Sequence, residues 1–328
     1  MKKYLTLLLA ITFSLYPLTS LRAEDKLPPP KPLKAKVEFT EIGEVEFAAP
    51  ENNIQIRYTL DGSAPSAKSY VYCVPVRAAS TLKLKAACFD AEGKSSDPVE
   101  VEFVRTPAEK SDRPAKLTVA INLDFSAAPE LKDWALQARK LCEEYYPVIM
   151  EKMPIEGYTP PRQVMMTWKD MPGVAYTTGT KITFAINFYK KNPKDFGSAI
   201  HEFVHIYQQY KGKVPGWVTE GIADWIRWQN WEPVEVRRKF NPKSAKLANA
   251  YNDAAVFLVY LEKTYDKDLI KKINDAAHKG TYSDDLIKMV TNKEVPALWD
   301  EFIASFDKPV APASDAKPAE TKTVAEKP

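Results

Sequence analysis

Ser198-Ala199-Ile200-His201-Glu202-Phe203-Val204-His205-Ile206-Tyr207-Gln208-Gln209-Tyr210 carries two of the chain's three histidines, four residues apart, inside a nearly continuous apolar run. Ile200, Phe203, Val204, Ile206 and Tyr207 leave no polar face at helical spacing, so the segment reads as a buried α-helix. Asp195, just upstream, is placed to cap it. Four residues along an α-helix advance about 6 Å and come back to within about 40°, so His201 and His205 aim both imidazoles at one point. Two buried imidazoles need a partner, and a shared Zn2+ is the partner this spacing fits. Glu202, turned about 100° from His201, stands beside the ligands, where it serves as general base toward the water that the zinc activates.

A catalytic zinc needs a third protein ligand and an open position. The extended motif with a following Gly and a third His ten residues after the first is not met, because those positions are Gln208 and Lys211. His278, the remaining histidine, falls at a polar helix end and is expected on the surface. Downstream, Gly212, Pro215 and Gly216 reverse the chain, and Trp217-Val218-Thr219-Glu220-Gly221-Ile222-Ala223-Asp224-Trp225-Ile226-Arg227 reads as a second helix. Glu220 and Asp224 share one face of it. Glu220 as third ligand, with Asp224 accepting a hydrogen bond from a ligand imidazole and fixing its tautomer, is the preferred arrangement. Asp224 as the ligand is the other.

The chain has 328 residues, too many for one average domain, with 46 Lys plus Arg against 43 Asp plus Glu. Lys2 and Lys3 precede an apolar run, residues 4–18, followed by Leu21-Arg22-Ala23, so residues 1–23 read as an export signal. The run falls short of the roughly 20 residues that span a bilayer. Without that segment the formal charge drops from +3 to neutral, which removes support for nucleic-acid binding. An exported product, periplasmic, cell-surface or extracellular, without a membrane span is expected. Residues 24–34 are a Pro-rich spacer. Residues 35–105 alternate short β-branched runs with turns such as Asp61-Gly62 and Glu92-Gly93, and predict an all-β sandwich of about seven strands. Residues 106–115 are a linker. Residues 116–307 predict an α+β domain with strands at 117–123, 163–168 and 182–188, a helix at 128–146, and mostly helices thereafter. The Pro-, Ala-, Lys-rich residues 308–328 read as a disordered tail. Cys73 and Cys88, in neighbouring strand-like segments, are the expected disulfide pair, and Cys142 a buried small hydrophobe.

Two resemblances rest on these residues. Ile56-Arg57-Tyr58-Thr59-Leu60-Asp61-Gly62-Ser63-Ala64-Pro65, with Pro75-Val76 and 82–89, resembles the immunoglobulin-like domain at the C-terminus of chitobiase and hexosaminidase enzymes. That likeness leaves two roles open for the module, a spacer or a glycan contact. His201-Glu202-x-x-His205-x-x-Gln208, Pro215-Gly216, 220–227, and Tyr251-x-x-Ala254-Ala255-x-Phe257-Leu258 resemble the peptidase family named for plant basic secretory proteins. Over roughly 117–306 this likeness implies a zincin-like metallopeptidase with ligands at His201, His205 and Glu220, the base at Glu202, and a peptide or protein substrate. The family's cationic character does not carry over to a neutral chain. Tyr251, in the matching segment, is the candidate oxyanion donor, simple packing being the alternative. The 182–188 strand is read either as an edge on which a substrate pairs or as a core strand. The competing function is a catalytically inactive zincin fold acting as an extracellular carbohydrate-binding or scaffolding module. Glycoside hydrolysis lacks its opposed carboxylates on a catalytic scaffold.

Overall fold

The computed structural model describes residues 26–51, 53–106 and 118–307. The expected export signal, most of the linker and the C-terminal tail lie outside the described residues.

The N-terminal module holds seven strands: β1 (Lys36–Phe39), β2 (Gly43–Val45), β3 (Gln55–Thr59), β4 (Tyr70–Val71), β5 (Val76–Ala78), β6 (Leu82–Phe89) and β7 (Val99–Arg105). One sheet runs β1-β7-β6-β3-β4 and the other pairs β2 with β5. Alternation drives the packing: Ile56 and Tyr58, Leu84 and Ala86, and Val101 and Phe103 turn inward and are almost completely buried. The turn after β3 forms as its residues dictate, with Gly62 at φ +75° and Asp61 Oδ1 accepting from the Ser63 amide (3.0 Å) and hydroxyl (2.6 Å). Two expectations need correction. The Pro-rich spacer is not detached, because the Leu33 amide donates to Glu46 O and the Ala48 amide to Lys31 O, both at 2.9 Å. Extended proline-rich backbone keeps its carbonyls available to an edge. All three cysteines are free thiols. Cys88 points into the sandwich core, whereas Cys73 lies past β4 and packs on the second domain, so sequence proximity did not bring the sulfurs to one face.

The second domain carries a four-stranded sheet in the order β10-β11-β9-β8, from β8 (Ala120–Asp124), β9 (Gln163–Lys169), β10 (Ala175–Thr178) and β11 (Lys181–Ala185). β8, β9 and β11 are parallel, and β10 is an antiparallel edge. The expected strand at 182–188 therefore stops at Ala185, and α2 (Ile186–Lys191) begins, burying Ile186 and Tyr189 on one helical face. A short apolar run has no periodicity that separates strand from helix, which explains the miss. β11 is also interior, and the edges of this sheet are β10 and β8.

α1 (Lys132–Lys152) and α3 (Gly197–Gln208) cover the face of this sheet that presents Ile121, Val164, Met166 and Phe184. Cys142 is buried on α1, its thiol near Ala199 O of α3 (3.7 Å). The opposite face meets the β-module. There the Arg77 amide donates to Asn122 Oδ1, and the Asn122 and Gln163 side-chain amides both donate to Arg77 O, each at 2.9 Å. Val71 N–H donates to Asp124 Oδ2 at 2.9 Å, Arg77 pairs with Glu143, and Met165 of β9 enters the module's core. α4 (Gly216–Asp224) runs on into a π-helical turn, Trp225–Trp231, and packs against α5 (Tyr251–Thr264). Gly221 permits that approach, since a Cβ there would lie 2.8 Å from Ala254 Cβ. α6 (Leu269–Lys279), α7 (Asp285–Thr291) and α8 (Val295–Ala304) complete the domain. No helix among the described residues is long and apolar enough to cross a membrane.

Candidate metal centre

α3 is buried on all sides, as its sequence predicts, and its N-terminus is held by Asp195 Oδ1, which accepts from the Ser198 amide (3.0 Å) and from Arg227 Nη2 (2.7 Å). Its C-terminus turns out through Gln209 at φ +34°, and Gly212 at φ +74° reverses the chain so that α4 returns alongside. The two helices thus bring His201, Glu202 and His205 against Glu220 and Asp224.

His201 Nε2 lies 3.2 Å from His205 Nε2 and 3.1 Å from Glu220 Oε2, which is itself 3.5 Å from His205 Nε2. The candidate ligand atoms of these three residues all fall within 4.8 Å of one another. The far nitrogens are engaged. Asp224 Oδ1 sits 2.7 Å from His201 Nδ1, on the opposite edge of the ring from Glu220. Gln208 Oε1 sits 2.6 Å from His205 Nδ1, while Gln208 Nε2 donates to Thr219 O at 3.0 Å. That second bond fixes which end of the amide faces the imidazole, so Nδ1–H of His205 is the donor. A neutral imidazole with its proton on Nδ1 presents a lone pair at Nε2. Two such lone pairs and a carboxylate oxygen therefore face one point, an arrangement that repels itself unless a proton or a cation lies among them.

The electrostatics follow. Burial alone would lower His201, but the hydrogen bonds to Asp224 and Glu220 outweigh it and lift the metal-free imidazole to about 9. Burial would raise Glu220, yet its contacts with both imidazoles hold it well below the ordinary carboxylate range. A divalent cation supplies the positive charge that the proton otherwise provides, and two imidazoles with one carboxylate are a donor set suited to zinc.

Glu202 is 8% exposed and does not touch the imidazole nitrogens. Thr177 on β10 reaches it, with Oγ1 2.7 Å from Glu202 Oε2 and 3.0 Å from Glu202 O. A cavity of about 520 Å³ opens over these groups, with Ala175, Tyr176 and Thr177 of β10 and Tyr251 also lining it. Tyr251 stacks on His201 with centroids 5.8 Å apart and remains half exposed. It follows Ala250 at φ +54° and itself holds φ +47°, two consecutive non-glycine residues in a strained region beside the site. The charge of Glu220, then burial, raises its phenol above the usual value.

All five residues singled out by spacing, and Tyr251, are thus brought together. Gln208 and Thr177 were not assigned roles from sequence. Gln208 sits three residues after His205 on the same helix, so its signal was available. Thr177 comes from a strand the sequence did not reveal. His278 is not on the surface: it is 6% exposed, packs against the Tyr158 ring in a tilted arrangement with centroids 4.0 Å apart, and donates from Nε2 to Tyr207 O at 3.2 Å. Its polar helix end caps the turn after α3, and burial lowers its basicity.

Two family models match the chain. One, described as the chitobiase/beta-hexosaminidase C-terminal domain, covers residues 35–100, the β-module. The other, described as a peptidase of plants and bacteria, covers residues 131–302. No curated protein matches. The second match takes in more than half of the chain and encloses both helices of the metal centre, so the chain belongs to this family of peptidases of plants and bacteria.

Proposed function

We propose that the protein is an exported zinc-dependent peptidase that hydrolyses peptide bonds, with His201, His205 and Glu220 holding the metal. The observation that carries this reading is the meeting of two Nε2 lone pairs and Glu220 Oε2 at one point, with both Nδ1 positions already engaged. Asp224 fits the role of orienting His201, since its oxygen lies behind the ring rather than at that point. When bound, zinc polarises the substrate carbonyl and acidifies water.

The chain's own residues do the rest. Glu202 accepts a proton from the attacking water and passes it to the leaving amine. Thr177 holds Glu202 Oε2, which leaves Oε1 free to take that proton. Tyr251 OH, from a ring that stacks on His201 and lines the cavity, is suited to donate to the oxyanion. β10 offers the docking edge. Ala185 N–H donates to Val174 O (2.8 Å), so by antiparallel alternation the backbone groups of Ala175 and Thr177 point away from β11 toward open cavity. An extended polypeptide pairing there lies across the metal centre. Export rests on the apolar N-terminal segment, and N-terminal sequencing of the mature protein tests it.

Glu202→Gln tests the chemistry. The variant should bind zinc with wild-type stoichiometry and lose hydrolysis; full activity in it would remove Glu202 from its role. Metal-replete protein that cuts no member of a diverse peptide library would favour the inactive, scaffolding alternative.

A further inference from the structure

We propose that the groove between the β-module and the peptidase sheet is a distal subsite for the polypeptide substrate, so that the module takes part in substrate binding. This rests on peptide-bond hydrolysis at the metal centre. Gly179 lines the metal cavity, and Thr180, the next residue, lines a separate groove of about 510 Å³. The β10–β11 turn is therefore the rim between the two. Leu60, Lys68 and Tyr70 of the module wall the groove on one side, and Val164 and Met165 of β9 line the other.

The chemistry favours an extended peptide. Leu60 and the half-buried Tyr70 ring supply the module's apolar surface over the buried Met165, and neither the Tyr70 hydroxyl nor the Lys68 ammonium has a hydrogen-bond or ion-pair partner among the described residues. Asp61, on the rim, is engaged by Ser63. Leu60, Tyr70 and the Lys68 ammonium suit apolar or acidic side chains, whereas the Thr59 and Ser69 hydroxyls and the Gln163 amide, like Asp61, are already bonded within the chain and are not open to grip a sugar. A chain paired along β10 and running past Gly179 has to cross about two strand spacings, ~10 Å, to enter the groove, or about 3 residues at ~3.3 Å each. Substrates extended on that side of the scissile bond gain the contact, and short ones do not.

The experiment uses full-length, zinc-loaded Glu202→Gln protein. Labelled peptides of about 4 to about 14 residues are bound at rising length, with kcat/KM for the same sequences measured on wild type. Affinity and kcat/KM should each rise about tenfold once the peptide passes the turn. Tyr70→Ala and Lys68→Glu should each bring the long-to-short ratio back toward unity. Lys68 is exposed, so its substitution spares the core. A ratio indifferent to length, or one that survives both substitutions, overturns the subsite while leaving peptidase activity intact. A flat ratio together with Tyr70-dependent oligosaccharide binding overturns it in favour of a glycan site. Absence of binding and cleavage at every length overturns the peptidase reading and the subsite with it.

Discussion

The interdomain seam and the metal centre both bury polar side chains, and they resolve that burial in opposite ways. At the seam, the Arg77 amide and carbonyl meet the complementary amides of Asn122 and Gln163, and the Arg77 guanidinium meets Glu143, donor against acceptor. At the centre, acceptor meets acceptor: His201 Nε2, His205 Nε2 and Glu220 Oε2 converge although each imidazole's proton is drawn to its far nitrogen. A satisfied polar cluster holds domains together, whereas one that needs a cation to be stable is a place for chemistry.

This contrast predicts different consequences for substitutions in the two regions. Glu202→Gln should lower kcat by about 10²–10⁴-fold with zinc content unchanged, which steady-state kinetics and metal analysis check together. Asp224→Ala and Gln208→Ala each release the outer hydrogen bond of one ligand imidazole and should weaken zinc affinity by about 10–100-fold. Competition with a chromophoric chelator reads this, and wild-type affinity in both variants would erase the difference drawn between the centre and an ordinary polar cluster. Arg77→Ala should behave in the opposite manner. It takes from Glu143 its hydrogen-bonded cation, leaving only the more distant charge of Arg139, and should cost about 2 kcal/mol of unfolding free energy, while zinc affinity stays as in wild type.

The smallest effect is a pH dependence confined to metal-free protein. His201 is raised from 6.5 to about 9 in the folded chain, so protonation contributes stability that is fully present below pH 6.5 and lost as pH rises through about 9. Chemical denaturation across that range should show stability falling with pH in the metal-free protein. The zinc-loaded protein, its imidazole already committed, should lack this slope.

What the sequence disclosed follows the same division. His201, Glu202 and His205, and then Glu220 and Asp224, lie within one or two turns of a helix, so periodicity alone aligns them. Gln208 belongs to that local set as well. The seam was invisible because it joins residues 45 to 86 positions apart, such as Arg77 with Asn122 and with Gln163. Thr177 was missed for a similar reason, since its contact with Glu202 requires the β10–β11 hairpin to be in place. His278 was misplaced because burial against Tyr158 and Tyr207 is tertiary information that a polar helix end does not carry. The disulfide expected between Cys73 and Cys88 failed because neighbouring strands do not tell which way their side chains face.

Zinc titration of the full-length protein by calorimetry, in buffers of differing ionisation enthalpy near pH 7, addresses the centre most directly. The account predicts saturable binding of a single ion per chain, proton release on binding because His201 must give up its proton, and loss of that binding in Glu220→Ala while the protein stays folded. A folded wild-type protein that takes up no zinc, or a Glu220→Ala variant that binds it as tightly as wild type, would contradict the account.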